Sequence, residues 1–169
     1  MPAVSDEMII DAVDRGDRPV ETVKRGDVFA LRANFRVAHV LVFDHSGQLL
    51  IQRLAGTRER HPLMWGSSVA CYLFSGESYH DAAARRLPEE LGLSGPLRWI
   101  GKTSMNDNSC EKFIGVFSAI LDGPFNIDRS HISDIKFISL EDIGRAIHMD
   151  SMQFTPTFLK VLAFYKSTR

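Results

Sequence analysis

The sequence predicts an α/β domain in which helices pack on a mixed β-sheet. Three observations predict it. Strand-like segments come first, one strongly patterned helix sits mid-chain, and further strands lead into two closing helices. Arg36 to Phe43 is an almost continuously apolar strand. Ala83, Leu87 and Leu91 recur at helical spacing and give the central helix one apolar stripe. A length of 169 residues is that of one ordinary domain. No repeat, linker or low-complexity tract divides it, so one domain is expected over residues 1–169.

Each element has its own signal. Residues 8–23 predict an N-terminal hairpin: Met8 to Val13 is apolar, Asp14-Arg15-Gly16-Asp17 is turn-like, and Val20 to Val23 returns. Lys24 to Phe35 fits either a short helix or a loop. Asp44-His45-Ser46-Gly47 joins the apolar strand to a hairpin partner, Gln48 to Arg53. Ala55 to Pro62 is a polar loop, and Ser67 to Phe74 reads as strand. The central helix spans about 78–91, with Ser78 and Asp81 as a capping-box variant and Gly92 as terminator. Trp99 to Thr103, Phe113 to Leu121 and Ile135 to Ile138 are further strands. Met105 to Glu111 is expected as a second specificity loop. Ser139 caps a helix from Leu140 to His148. Thr155 and Pro156 open the last helix, about 156–167, with Pro at its favoured first position.

Composition excludes several classes. Lys plus Arg is 20 and Asp plus Glu is 21, a net charge of -1 without the basic excess of a nucleic-acid binder. No apolar run is long enough to span a membrane, and the N-terminus lacks signal-peptide features. Cys71 and Cys110 form no Cys-x-x-Cys pair, which fits a reduced, cytoplasmic protein.

The chemistry concentrates around the central helix. Arg85 and Glu89 share one helix face, and Arg86 and Glu90 the adjacent one. Glu77 precedes the cap, within reach of Arg85. Adjacent carboxylates need a cation, and Mg²⁺ is held by one or two carboxylates plus substrate phosphates. These charges therefore fit a divalent-metal site for a diphosphate. They also fit a solvated face laced with salt bridges.

The spacing adds to this. Residues 76–93 resemble the Nudix box, with Glu77, Arg85, Leu87, Glu89, Glu90, Gly92 and Leu93 in place. Residues 13–20, 47–53 and Phe154-Thr155-Pro156 look like the branch related to isopentenyl-diphosphate isomerase. The resemblance implies an α/β/α sandwich around a mixed sheet and Mg²⁺-dependent attack of water on a diphosphate, with Mg²⁺ or Mn²⁺ as cofactor. Glu89 and Glu90 would then be the catalytic and metal-binding residues. Arg86 and Arg53 would bind the substrate phosphates. Gly76, Glu77, Arg85 and Gly92 would support the box. The expected partner is a small-molecule diphosphate, not nucleic acid or membrane, with a homodimer left open.

Three positions depart from the box. Cys71 stands where its first Gly belongs. Arg86 replaces the Glu after the box Arg, a metal ligand in the hydrolases; Arg cannot ligate a metal and stays protonated. Pro88 lies inside the helix, where Pro costs about 3 kcal/mol, so a kink or an early helix end is expected. Reduced or altered hydrolysis is the leading expectation. A catalytically inactive binding module is the alternative. The isomerase reading is third, because Cys71 is one residue out of step with that enzyme's nucleophile and Lys24 to Phe35 carries no pair of histidines.

Other candidates are minor. His39 is expected as a hydrogen-bonded core residue, Cys71 as a buried thiol, and Trp65 and Phe74 as core. His61 is a candidate for the pocket mouth. Asp107 and Glu111 are candidate further ligands.

Overall fold

The computed structural model describes residues 5–169. β1 (Ile9–Val13) and β2 (Pro19–Lys24) form the expected antiparallel hairpin. The ambiguous stretch after it holds one 3₁₀ turn, Arg25–Asp27, followed by turns. The remaining strands build one mixed sheet: β3 (Phe35–Phe43), β4 (Leu49–Leu54), β5 (Trp65–Gly66), β6 (Val69–Tyr72), β7 (Arg98–Asp107), β8 (Cys110–Ile120) and β9 (Ile132–Ile138). Its order is β5-β4-β3-β8-β7, with β6 beside β3 and β9 beside β4. β3 and β8 run parallel from Phe35↔Lys112 to Phe43↔Ile120, and the other pairings are antiparallel.

Strand alternation divides the core. Val37, Leu41 and Phe43 of β3 face one apolar cluster with Phe158, Val161 and Leu162 of α3 (Pro156–Ser167) and Ile143 of α2 (Leu140–His148). Ala38, Val40 and Val42 face the other, with Ala82, Ala83, Leu87 and Leu91 of α1 (Tyr79–Leu91). Burial on both faces is why β3 reads as a nearly continuous apolar run. The sheet is thus sandwiched between helices, as expected. Gly115 of β8 lets α1 approach closely: a Cβ there would lie 2.4 Å from Tyr79 Cδ1.

The caps match their sequence signals. Ser78, Ser139 and Thr155 each accept from the backbone N–H three residues on. Pro88 does not end α1 early; the helix continues to Leu91, and Gly92 closes it at φ 76° with its N–H on the Pro88 carbonyl. Ala84 and Pro88 both lie on the exposed side. The Ala84 carbonyl that Pro88 leaves without an N–H partner can therefore be hydrated.

Three local expectations change. Ser67 to Phe74 is not one strand but follows β5 and contains the short β6. The β3–β4 hairpin pairs only at Phe43↔Leu49, because β4 then turns to β5 and β9. Met105 to Glu111 is no loop: β7 and β8 run to a two-residue turn at Asn108 and Ser109, with φ 51° and 67°. A hairpin turn with positive φ at both positions is usually marked by Gly, and none stands here. Among the described residues, no helix is long and apolar enough to cross a membrane.

Candidate functional site

α1 carries Arg85, Arg86, Glu89 and Glu90, and Glu77 lies just before its cap. Glu77 accepts from Arg85 Nε at 2.9 Å and Nη2 at 3.0 Å, and from the Phe74 N–H at 2.6 Å. Arg85 also donates to the Tyr72 carbonyl at 3.2 Å and lies 3.6 Å over the Phe74 ring. This bidentate pair ties the start of α1 to β6. Gly76, at φ 81°, donates its N–H to Asp11 Oδ2 at 3.0 Å. At the other end, Gly92 lies against Asn126, where a Cβ would meet Asn126 Cβ at 2.8 Å. The Leu91 and Glu90 carbonyls accept from the Asn126 and Asp128 N–H groups.

The second pair is deeper. Arg86 is 1% exposed and Glu90 0%. Arg86 donates from Nε to Glu90 Oε2 at 2.7 Å and from Nη1 to Glu89 Oε2 at 3.0 Å. Glu90 Oε1 accepts from Gln52 Nε2 at 2.7 Å. Burial pushes the Glu90 carboxyl up, and the guanidinium of Arg86 opposes that shift. Arg85 reaches Glu89 from the outer side at 3.6 Å.

This donor set does not fit a bound divalent metal. Both Glu90 oxygens accept from protein donors, and a fixed guanidinium lies between Glu89 and Glu90. Among the described residues, no three Asp, Glu, His or Cys side chains are grouped to hold a metal ion. Pro88 is not the cause, since it leaves α1 intact; Arg86 is.

Beside Arg86 opens a cavity of about 270 Å³. Its charged lining is strongly basic: Arg25, Arg58, Arg60, Arg86 and Lys112 against Glu59. Lys112 donates to Asp107 at 2.9 Å and to Thr157 Oγ1 at 2.6 Å, and Arg60 holds the same Asp107 at 2.7 Å. Asp107, a candidate ligand in the sequence, is thus held by two cations. Burial pushes its carboxyl up, but the bonds from Arg60 and Lys112 prevail and hold it below the usual range. Arg58 has no carboxylate partner among the described residues and donates to the His131 ring at 2.7 Å.

Three histidines line the wall as well. His39, 5% exposed, pairs through Nδ1 with Ser67 Oγ at 2.8 Å. Burial, with the nearby Lys112, pulls its pKa down to about 3. Burial, then Arg58 and Arg86, does the same to His131. His61 also lines the cavity. Cys71 is buried, donates to the Ala82 carbonyl at 3.5 Å, and is pushed up to about 12 by burial. It lines the cavity as a protonated thiol and not as a reactive thiolate.

Some candidates fall elsewhere. Arg53 does not line the cavity; its Nε donates to the Leu63 carbonyl at 2.9 Å. Its neighbour Gln52 points inward instead, as strand alternation requires. Glu111 is held through its N–H by Asn34 and is also not among the lining residues. Trp65 lies half-buried under Lys136, 5.1 Å from its ring centre. Gln52, Lys112 and His131 were not singled out from sequence. None stands at a motif spacing, and only the alternation along β4 pointed toward Gln52.

The fold is thus an α/β/α sandwich whose box helix faces a cavity lined by cations. The comparisons with known proteins agree with this fold. The NUDIX domain model matches residues 33–158, and the chain belongs to the Nudix family. It is 30% identical over 164 residues to the uncharacterized Nudix hydrolase PA4841 of Pseudomonas aeruginosa, covering 96% of each chain. It is 28% identical over 162 residues to isopentenyl-diphosphate Delta-isomerase 2 of Photorhabdus laumondii, covering 93% of this chain and 91% of that one. Among solved structures, DR0079 of Deinococcus radiodurans superposes with a TM-score of 0.82 at 22% identity, over 92% of this chain and 97% of that one. The NUDIX domain of Shewanella oneidensis NrtR, solved with ADP ribose, gives 0.63 at 16% identity, over 80% of this chain and 88% of that one.

Proposed function

We propose that this protein holds a diphosphate-containing metabolite in the basic cavity and that its capacity to hydrolyse it is reduced or lost. One observation carries this: Arg86 occupies the carboxylates Glu89 and Glu90 while its own guanidinium lines the cavity. Binding needs the cations, and those are supplied by the chain itself. Arg58, Arg60, Arg86 and Lys112 would hold the phosphates. Glu77, Arg85, Gly76 and Gly92 keep α1 at the right depth. Arg53 serves the loop at Leu63 and not the ligand. The whole chain, 1–169, acts as one domain in this reading, with a small molecule as partner.

Slow hydrolysis assisted by Mg²⁺ or Mn²⁺ is the second reading. Glu89 favours it, because its Oε1 accepts no hydrogen bond among the described residues.

The test is direct. Pure protein is titrated with nucleoside diphosphates, a nucleoside diphosphate sugar and ADP ribose, with EDTA or with Mg²⁺, and phosphate release is followed in parallel. Binding in EDTA with little or no turnover is expected. Turnover that appears with Mg²⁺ at rates ordinary for enzymes, about 1–1000 s⁻¹, would refute the binding reading. No binding of any compound would refute both readings.

A further inference from the structure

Two residues of the cavity wall each carry a buried polar atom with no hydrogen-bond partner among the described residues: Nη2 of Arg86 and Oε1 of Gln52. Both side chains line the cavity, and they are 1% and 2% exposed. Their orientation is fixed. Gln52 Nε2 donates to the Ser68 carbonyl at 2.8 Å and to Glu90 at 2.7 Å, and both partners can only accept. The amide therefore cannot be flipped without losing both bonds. Glu90 also holds Arg86 Nε, so one carboxylate positions an unpaired donor and an unpaired acceptor together. A buried polar atom without a partner is costly, and such atoms in a cavity wall are ones a ligand can satisfy.

We infer that this part of the wall takes a phosphoryl group that carries a hydroxyl, directly and without a metal. A phosphoryl oxygen accepts from Arg86 Nη2, the P–OH donates to Gln52 Oε1, and Arg58 supplies a further cation. The inference rests on the proposed function and narrows its ligand to one with a terminal phosphate in singly protonated form. A phosphate flanked by esters on both sides has no proton to offer Gln52. Sulfate has the size and charge of hydrogen phosphate but no hydroxyl, so it leaves the acceptor unpaired.

Inorganic phosphate and sulfate are the probes. Calorimetric titration of the wild-type protein in EDTA at pH 7 is expected to show phosphate binding at least about tenfold tighter than sulfate, the effect of one unpaired buried acceptor. Added Mg²⁺ is expected to leave the phosphate affinity unchanged. In Gln52→Met, which removes the acceptor, the preference is expected to fall to about onefold; the wild-type comparison stands whether or not that variant folds. Equal affinity for the two anions, or phosphate binding that needs Mg²⁺, would overturn the inference. If neither anion binds while the diphosphate compounds do, the inference falls and the proposed function stands. If nothing binds, both fall.

Discussion

Arg86→Glu tests what the buried guanidinium does. The substitution removes bonds of 2.7 Å to Glu90 and 3.0 Å to Glu89 and sets a third carboxylate beside them. Positions 86, 89 and 90 are one helical turn apart, so the new charge cannot move away. Breaking one side of a buried ion pair costs about 3–5 kcal/mol. At roughly 2–4 °C per kcal/mol for a chain of this size, Tm is expected to fall by about 6–20 °C in EDTA. The same three carboxylates would now form a metal site. A cation at a hundredfold its Kd restores about 2.7 kcal/mol, so Mg²⁺ is expected to raise the variant's Tm by roughly 5–11 °C and leave the wild type unmoved. Circular dichroism melts with EDTA and with Mg²⁺ measure both. A variant indifferent to Mg²⁺, or a wild type raised equally, would refute the view that Arg86 stands in for the metal.

Three further outcomes are expected. His39 and His131 stay neutral when folded, with pKa about 3 against an ordinary 6.5. The unfolded chain takes up their protons first, so stability is lost as pH falls from about 6.5 toward 3, by roughly 2 kcal/mol per histidine at pH 5. Asp17 and Asp107, held below the ordinary 3.8, stabilise the fold at higher pH, and their contribution is lost only as pH falls below about 3.8; equal urea midpoints at pH 7 and pH 5 would contradict the histidine effect. Cys71, pushed up to about 12, is expected to resist thiol reagents until the protein unfolds, and fast native-state labelling would refute its burial as the controlling factor. Pro88→Ala restores an N–H for the Ala84 carbonyl on an exposed face. It is expected to stabilise the fold by about 1–3 kcal/mol in denaturant melts, whereas a loss would show that Pro88 sets the geometry of Glu89 and Glu90.

Elements whose signals are local were legible in the sequence. The stripe Ala83, Leu87 and Leu91, with Ser78 before it and Gly92 after it, specifies α1 down to its caps. Ser139 and the Thr155-Pro156 pair did the same for α2 and α3. The turn at Asn108-Ser109 was missed because it lacks the Gly that usually marks it. The cavity was legible only in part. Arg86 was visible as a break in a motif, whereas Arg58 and His131 are 73 residues apart and meet only through tertiary packing. Arg53 drew attention by its charge, yet neutral Gln52 beside it is the residue that reaches Glu90. Strand alternation decides between such neighbours, and charge does not.

The cavity wall draws on β3, β4, β6, α1, β8 and α3, and its central strands β3 and β8 pair across some seventy intervening residues. No contiguous fragment carries it. Contacts this distant in sequence form late, after the entropy of closing long loops has been met. A ligand bound there therefore finds nothing to grip in the unfolded chain or in an early folding ensemble. Its stabilisation should emerge almost wholly as slower unfolding, with the folding limb unchanged. The occupied protein would then be protected chiefly as a long-lived species, its lifetime set by how long the cavity stays filled.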